Sequence, residues 1–356
     1  MSTHNTSKEH LYGDLCIENV AANILPFYGL QDASIEEIKF KDTDKQRAVY
    51  KVTLGDNSYC LKKVYYDLPE LLFVYSSIEW WYRHDIKVPK LLPTLQGYRY
   101  VKWNEMLFIL TPWILGEKCD YNNYHHLKSL ISNLAKMHKS SLNFFPISDS
   151  NCKESFDVLY NSVHKHWENL LIYSNLSFKY KDEFSKIYIN NFDTNYELGL
   201  ISSRTAYGIN NSNLTRTLCH GDYVNKNLIF DEKKDIWVID FDKVSLDFAA
   251  HDISYGLRRL FKRDDTNWDF SLCIDLLCQY NEIMPLTLDD YKYILSYLSF
   301  PQKYWKISRD YYNNIKKCNK KSFCTLIRKA TRNSDSQLLF TLNFKAYIED
   351  KFSIKI

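Results

Sequence analysis

Residues 218–242 constrain the fold of this chain more strongly than any other stretch of the sequence. Two short apolar runs, 228–230 and 236–241, are separated by a polar segment rich in turn-forming residues. β-prone runs joined by such a segment predict a β-hairpin. Polar side chains lie just outside or at the ends of the two runs, and they are His220, Asp222, Asn227, Asp240 and Asp242.

The predicted hairpin brings Asp222, Asn227 and Asp240 to one end of a small sheet. Two carboxylates and an amide are the groups that magnesium-assisted phosphoryl transfer uses. In that chemistry one carboxylate positions the attacking hydroxyl, while the amide and the other carboxylate hold the metal on the phosphates. The sequence therefore indicates a phosphoryl-transfer site.

Composition limits the class of protein without naming a function. The chain has 356 residues, 45% hydrophobic and 25% charged, which is typical of a soluble protein with one large or two modest domains. A formal net charge of +3 is too small to indicate a nucleic-acid partner. The longest apolar run, residues 107–115, is too short to span a bilayer, so no membrane insertion is expected.

The nine cysteines indicate neither a zinc site nor a disulfide framework. No C-x-x-C pair occurs, and the closest pairs, Cys273/Cys278 and Cys318/Cys324, do not have the spacing of a zinc half-site. No secretory signal is recognised at the start, so cytoplasmic synthesis and reduced thiols are expected.

A second hairpin is predicted near the start of the chain, with strands at 48–54 and 58–64. Side chains alternate between the faces of a strand, so Cys60 and Lys62 share one face and Lys63 lies on the other. A lysine on the inner face needs an anionic partner, which nucleotide phosphates would supply. We favour Lys62 as the phosphate lysine over Lys63, the alternative being a surface lysine on an amphipathic strand.

The order of predicted elements gives an α+β fold. Strands are predicted at 35–40, 98–103 and 106–110 and a helix at 69–84, after which Pro112 and Gly116 mark a domain boundary. The remainder is predicted to be helical, apart from the 218–242 hairpin and an exposed connection at 202–217 that is rich in Asn, Ser and Thr. The predicted domains are residues 1–112 and 113–356.

The pattern H-G-D-x4-N-x12-D, followed by Phe241, resembles the aminoglycoside phosphotransferase/choline kinase branch of the protein-kinase-like fold. More narrowly, the chain resembles the CotS family of bacterial spore-coat kinase-like proteins over about residues 19–340. The stretches that carry this resemblance include AVYKV (48–52), YCLKKV (59–64), VPKLLPT (88–94), LCHGDYVNKNLI (218–229) and FPQKYW (300–305).

The resemblance implies a bilobal fold with a small β-rich N-terminal lobe, a large helical C-terminal lobe, and ATP with Mg²⁺ as cofactors. Asp222 would orient or deprotonate the acceptor hydroxyl, and Asn227 and Asp240 would bind the metal. Lys62 would contact the α- and β-phosphates. Nucleotide binding would also involve Cys60 in the adenine pocket and the hinge residues Thr111, Trp113 and Ile114.

The acidic partner of Lys62 is expected on the helix at 69–84, where Glu79 is favoured over Glu70. Asp252 is expected to anchor the catalytic loop, either by capping its own helix or by bonding the loop. His138 ends an apolar helix and is expected to be a packed structural residue rather than a catalytic one. Asp242 is expected to have a supporting or structural role.

Three functions remain open at this point. The first is an ATP-dependent phosphotransferase acting on a hydroxyl of a small molecule, a glycan or a coat component. The second is a catalytically weak or inactive scaffold that binds other spore coat proteins. The third, nucleic-acid binding, rests on the basic and aromatic segment 303–332, a pattern more typical of solvated helix faces. That segment is also compatible with an anionic or hydroxyl-rich acceptor.

Overall fold

A computed structural model describes residues 13–41 and 46–356 of the chain. The chain divides into two compact units. The first, here called the sheet unit, contains residues up to 119 together with 144–153 and 226–242. The second, the helical unit, contains 120–143, 154–225 and 243–356. The functional division into residues 1–112 and 113–356 stays a prediction.

The sheet unit is built on a five-stranded antiparallel sheet with the strand order β1-β2-β3-β5-β4. The strands are β1 (Ser34–Lys41), β2 (Arg47–Leu54), β3 (Asn57–Val64), β4 (Val101–Trp103) and β5 (Met106–Pro112). Helix α1 (Ile17–Asn23) precedes the sheet, and α2 (Leu68–Arg83) follows β3. Asp67 caps α2 by accepting the backbone N–H of Glu70, and Pro69 occupies the first turn.

Side-chain alternation fixes the faces of β3 as the sequence predicts. Leu61 is fully buried in an apolar core with Tyr50 of β2 and Phe108 of β5. The neighbouring Lys62 therefore lies on the opposite face of the sheet. The three strands around this core pair without interruption, from Ala48 opposite Lys63 to Tyr59 opposite Pro112.

The predicted hairpin at 218–242 is confirmed as the pair β8 (Leu228–Phe230) and β9 (Ile236–Val238), with β6 (Glu117–Lys118) beside β8. One side chain closes its turn, because Asp231 accepts the backbone N–H groups of residues 233 and 235 at 2.9 Å each. The second strand ends at Val238, earlier than the apolar run indicates, because residue 240 leaves the extended conformation with φ of 69°.

Among its described residues the helical unit contains ten α-helices, one short 3-10 helix (Asn211–Asn213) and one two-stranded antiparallel sheet. The strands are β7 (Arg216–Cys219) and β10 (Ser245–Phe248). The helices are α3 (Tyr124–Ser140), α4 (Leu159–Tyr180), α5 (Glu183–Asn190), α6 (Phe192–Tyr207), α7 (Ala249–Phe261), α8 (Phe270–Ile283), α9 (Leu288–Ser299), α10 (Gln302–Asn313), α11 (Lys320–Thr331) and α12 (Ser334–Phe352).

The prediction of an exposed connection at 202–217 is wrong for its first six residues, which belong to α6. Ser202 is fully buried there and donates to the carbonyl oxygen of Ser296 on α9 at 2.6 Å. Small hydroxyl side chains allow α6 and α9 to pack closely, and their polar groups form hydrogen bonds across the contact. The composition of the segment alone does not reveal this packing. The α+β class is confirmed, and no helix in the described ranges is long and apolar enough to cross a membrane.

Candidate active site

A cavity of about 280 Å³ lies in the sheet unit, and its lining residues all belong to that unit. Strand β3 contributes Cys60 and Lys62, and the register of the sheet places Thr111 of β5 opposite Cys60. Among the sequence-predicted site residues, the structure brings these into one cavity: Cys60, Lys62, Thr111, Trp113, Ile114, Asn227 and Asp240. Asp222 belongs to the helical unit and is described with it below.

The Lys62 ammonium group is held by two carboxylates. Its Nζ donates to Oδ1 of Asp240 at 2.9 Å and to Oδ1 of Asp242 at 2.6 Å. Burial lowers the pKa of Lys62, but the carboxylates of Asp242 and Asp240 more than offset this, so its pKa lies above the usual value. Lys62 is therefore protonated, and its two carboxylate partners hold the ammonium group in a fixed position in the cavity.

Asp242 anchors this cluster to a greater extent than the sequence indicates. Its Oδ2 lies 2.9 Å from Nη1 of Arg47, and its carbonyl oxygen accepts the Tyr65 hydroxyl at 3.3 Å. Arg47 also stacks over the Tyr65 ring at 4.2 Å. Two cations and two carboxylates thus share one wall of the cavity. The sequence signal for this role is its position two residues after Asp240, at the end of the hairpin.

The expected ion pair between Lys62 and Glu79 is not formed. Glu79 instead lies 3.9 Å from Nε of Arg83 and 3.7 Å from Nζ of Lys90. On α2 the residues that line the cavity are the apolar Val74 and Ile78. One residue further along a helix turns the side chain by about 100°, so Glu79 points away from the face that carries Ile78.

The segment after β5, which the resemblance predicts to be the hinge, lines the cavity with Trp113 and Ile114. The backbone N–H of Trp113 donates to the carbonyl oxygen of Ser58 at 3.0 Å, which extends the β3–β5 pairing. Burial raises the pKa of the Cys60 thiol on the facing strand, so this side chain is a neutral, polarisable wall. An apolar slot beside a charged cluster suits a base joined to phosphates.

Asn227 and Asp240 lie at the same end of the β8–β9 hairpin. The N–H of Ile239 donates to the carbonyl oxygen of Asn227 at 3.0 Å, which fixes the two segments side by side. Asn227 is buried, while the carboxylate of Asp240 remains 35% exposed and accessible. Carboxylate and amide oxygens are the ligands that Mg²⁺ and Ca²⁺ prefer, so these residues fit a divalent cation.

In the helical unit Asp222 is 6% exposed and follows the end of β7. Its Oδ1 accepts the hydroxyl of Tyr255 on α7 at 3.0 Å and lies 3.6 Å from Nζ of Lys243. The N–H of Asp222 donates to Nδ1 of His220 at 3.2 Å, so His220 holds the loop. The carboxylate is fixed in orientation by its neighbours and is paired with cationic charge.

Gly221 is required in this loop. Its φ is 73°, and a Cβ built on it would lie 2.5 Å from the carbonyl oxygen of Lys243. Both the backbone conformation and the close approach of residue 243 exclude a side chain.

Asp252 at the start of α7 anchors the loop, as predicted. Its carboxylate accepts the N–H of His220 at 2.8 Å and that of Gly221 at 3.1 Å. Nε2 of His138 lies 3.3 Å from the same carboxylate, and Nδ1 of His138 lies 2.8 Å from the Tyr280 hydroxyl. Burial raises the pKa of Asp252, but these hydrogen bonds and the histidines outweigh it and the net pKa is lowered.

His138, Cys219 and Asp252 place their potential ligand atoms within 4.8 Å of one another, all buried. The carboxylate oxygens already accept two backbone N–H groups. The Cys219 thiol donates to the carbonyl oxygen of Phe248, and burial raises its pKa well above the usual value. This cluster is a hydrogen-bonded support for the loop, which agrees with the predicted structural role of His138.

Comparison with known proteins gives a family match and a curated relative. The sequence profile of the phosphotransferase enzyme family matches residues 42–281. Spore coat protein S of Bacillus subtilis (strain 168) is 18% identical over 306 residues, which cover 84% of this chain and 86% of that protein.

Solved structures share the fold at low identity. An aminoglycoside phosphotransferase from Alicyclobacillus acidocaldarius superimposes with a TM-score of 0.77 at 15% identity, covering 92% of this chain and 96% of that one. An amicoumacin kinase, solved with AMP-PNP and Ca²⁺, gives 0.60 at 14% identity, with 92% and 96% covered. Spectinomycin phosphotransferase with ADP and spectinomycin gives 0.59 at 15%, with 90% and 98% covered. The kinase-like fold is thereby confirmed.

Proposed function

Because the chain belongs to the phosphotransferase enzyme family, we propose that it transfers the γ-phosphoryl group of ATP to a hydroxyl of an acceptor, with Mg²⁺ as the metal. The observation that carries this proposal is the cavity of the sheet unit, where Lys62 meets Asp240 and Asp242. A fixed cation beside the accessible carboxylate of Asp240 and the buried carboxylate of Asp242 matches the charge pattern of a metal–nucleotide complex.

Nucleotide binding is proposed to use both parts of the cavity. The base would lie in the apolar part against Cys60 and the hinge residues Thr111, Trp113 and Ile114. Lys62 would exchange its carboxylate contacts for phosphate oxygens, which are equally strong anionic acceptors. Arg47 lines the same cavity and would remain paired with Asp242.

Asn227 and Asp240 are proposed to hold the metal through their side-chain oxygens. A bound Mg²⁺ supplies positive charge that neutralises the phosphate oxygens during transfer. The left-handed backbone at Asp240 aims its carboxylate to the same end of the hairpin as Asn227. Release of Lys62 from Asp240 would free a carboxylate oxygen for this role.

Asp222 is proposed to accept the proton of the acceptor hydroxyl, since it is a nearly buried carboxylate on a rigid loop. The Tyr255 hydroxyl donates to Oδ1 and holds one oxygen in place, and Lys243 contributes positive charge nearby. A fixed carboxylate orients a hydroxyl without first having to reorganise.

The biological setting is proposed to be the spore coat, with a small molecule, a glycan or a coat component as acceptor. The likeness to spore coat protein S supports this setting. A second candidate function is a coat scaffold that kept the fold with weak or no activity. It is favoured by Glu79, which pairs with Arg83 and Lys90 and leaves Lys62 without its expected helix partner.

The two candidates differ in nucleotide binding and turnover. We expect ATP with Mg²⁺ to raise the melting temperature of the full chain and the chain to release ADP when an acceptor is present. Lys62→Met is expected to abolish the thermal shift, while Asp222→Asn keeps the shift and loses ADP release. If ATP and Mg²⁺ together produce no shift, the phosphotransferase is excluded and the scaffold is favoured.

A further inference from the structure

A second cavity, of about 100 Å³, lies entirely in the helical unit, between α7, the segment that follows it, α10 and α11. It is lined by four cationic side chains and one carboxylate. The cationic side chains are Arg258, Lys262, Lys303 and Lys329, and the carboxylate is Asp264. Such an excess of one charge around one cavity favours a ligand of the opposite charge.

The single carboxylate does not neutralise this cavity. Asp264 is 69% exposed, and its oxygens face Arg332 and Asn333, each at 3.3 Å. Its charge is thus shared with a fifth cation, Arg332, and is screened by solvent. The four cationic side chains have no other acidic neighbour among the described residues that line the cavity.

The guanidinium group of Arg258 is only partly satisfied. Nη1 donates to Oε1 of Gln302 at 3.2 Å, and the guanidinium group lies 4.0 Å from the centre of the Tyr297 ring. Its Nε and Nη2 are buried and have no hydrogen-bond partner in the described part of the chain. Buried donors without hydrogen-bond acceptors are costly and rare in folded proteins. The guanidinium group of Arg258 therefore has N–H groups available to bind the oxygen atoms of a ligand.

Lys262 lies one helical turn beyond Arg258 and is partly buried. Burial lowers its pKa to about 8, and the positive charges of Arg259, Lys303 and Arg258 contribute in the same direction. Cations crowded together in this way repel one another, and a bound anion would reverse that repulsion. Lys303 and Lys329 are exposed, as expected for the solvated helix faces of the basic segment 303–332. Arg258 and Lys262 lie outside that segment and are partly buried.

A continuous stripe on α7 connects the cavity with Asp222. Tyr255, Arg258, Arg259 and Lys262 have the i, i+3, i+4, i+7 spacing of one helix face. Nη2 of Arg259 donates to the Tyr255 hydroxyl at 3.0 Å, and that hydroxyl donates to Asp222. At 1.5 Å per residue, the seven positions from Tyr255 to Lys262 cover about 10 Å.

We propose that this cavity binds an anionic group of the acceptor, so that the acceptor is a hydroxyl compound carrying a phosphate or carboxylate group. The binding of an anion in this cavity does not depend on the proposed function, but the role of that anion as part of the acceptor rests on it. The anion would contact Arg258 and Lys262, with Lys303 and Lys329 at the entrance. Its separation from the reacting hydroxyl would be of the order of 10 Å, the axial length of the stripe.

The first test measures anion binding alone, without nucleotide or divalent metal. Inorganic phosphate and acetate are titrated into the full chain by isothermal calorimetry, in the wild type and in a Lys62→Met background that removes the lysine of the other cavity. Saturable phosphate binding is expected in both. The double variant Lys303→Gln/Lys329→Gln should weaken it about tenfold or more, since a hydrogen bond to a charged group is typically worth that much.

A matched control uses the same two helices and the same change in charge. The double variant Lys306→Gln/Lys321→Gln replaces exposed lysines of α10 and α11 that do not line the cavity. Its phosphate affinity should stay within about twofold of the wild type, because screened surface charges contribute little. Equal weakening in both doubles, or no saturable binding at all, overturns the proposal.

The second test uses ATP and Mg²⁺ with three acceptors of one skeleton: glucose, glucuronate and glucose 6-phosphate. Faster ADP release with an anionic member than with glucose, lost in Lys303→Gln/Lys329→Gln, is expected. Phosphorylation of glucose alone rejects the anionic acceptor and keeps the phosphotransferase. Phosphate binding without any binding of ATP rejects the phosphotransferase and with it the acceptor role, while the anion site itself stands.

Discussion

Replacing Asp252 tests whether one buried carboxylate supports the loop that carries Asp222. Asp252 accepts two backbone N–H groups, from His220 at 2.8 Å and Gly221 at 3.1 Å. In Asp252→Ala both N–H groups lose their acceptor inside the protein, and each unsatisfied donor lowers the free energy of unfolding by about 1–3 kcal/mol. We therefore expect the free energy of unfolding of the helical unit to fall by about 4 kcal/mol.

Asp252→Asn keeps the shape of the side chain and should cause a loss of stability smaller than that of Asp252→Ala. Its carbonyl oxygen can accept one of the two N–H groups, but its NH₂ group faces the other donor. The expected loss is about 2 kcal/mol, half that of the alanine variant. Asp350→Ala, an exposed carboxylate on α12, is the matched control and should change stability by less than about 0.5 kcal/mol.

The assay is urea denaturation together with hydrogen exchange of the peptide that contains residues 218–223. Exchange of the amides of His220 and Gly221 should accelerate in both Asp252 variants and remain slow in Asp350→Ala. If Asp252→Ala costs less than about 1 kcal/mol and leaves these amides protected, the argument from unpaired donors is refuted.

The same carboxylate predicts a pH dependence. The pKa of Asp252 is lower in the folded protein than its ordinary value of 3.8, so its stabilising contribution is present above that value. It is lost as the pH falls toward the folded pKa. The stability difference between the wild type and Asp252→Asn should therefore shrink below about pH 4. A constant difference down to pH 2 would contradict this.

Three further predictions concern the same unit. Tyr255→Phe removes the hydrogen bond to Asp222, so kcat should fall about tenfold with KM for ATP unchanged, measured by ADP release. Gly221→Ala adds a Cβ at φ of 73° and 2.5 Å from a carbonyl oxygen, so urea denaturation should show a loss of at least about 2 kcal/mol. The pKa of His251 is lowered by burial but raised more by Asp247, so the protonated imidazole should stabilise the fold below about pH 6.5, and this contribution is lost as the pH rises through the folded pKa. Burial also raises the pKa of Asp247, so the ion pair forms only where that carboxyl group is ionised. Proton NMR should show that Asp247→Asn lowers the pKa of His251.

Each of these has a control in the same unit. Tyr207→Phe changes an exposed tyrosine and should leave kcat unaltered. Gly208→Ala places a Cβ 3.6 Å from its nearest neighbour at a negative φ, and should be tolerated. Asp350→Asn changes an exposed carboxylate on α12 and should leave the titration of His251 as in the wild type. A kcat loss in Tyr207→Phe equal to that in Tyr255→Phe, full stability of Gly221→Ala, or an unchanged His251 would each contradict the reasoning.

Local patterns in the sequence predicted the parts of the cavity that depend on neighbouring residues. The alternation of β3 correctly placed Cys60 and Lys62 on one face, because side chains in a strand alternate regardless of context. The hairpin correctly placed Asn227 and Asp240 at one end, because a short turn leaves few alternative registers. The roles assigned to these residues stay predictions.

Long-range pairings could not be predicted in the same way. The partners of Lys62 lie 178 and 180 residues further along the chain, and no local pattern favours Asp242 over Glu79. The cationic cavity was likewise hidden, since the sequence shows a basic segment but not that Arg258 and Lys262 are partly enclosed. Burial of polar residues is decided by tertiary packing, which composition does not encode.

The β8–β9 hairpin also has a consequence for how the cavity is assembled. Asn227 and Asp240 are joined by a short closed segment whose turn is tied by Asp231, whereas Lys62 meets Asp240 across 178 residues. The entropic cost of closing a loop grows with the logarithm of its length. Closing the hairpin therefore costs about 2 kcal/mol less than forming the contact between Lys62 and Asp240. Asn227 and Asp240 can thus be brought together by a contiguous piece of chain, and Lys62 joins them only when distant segments have folded together.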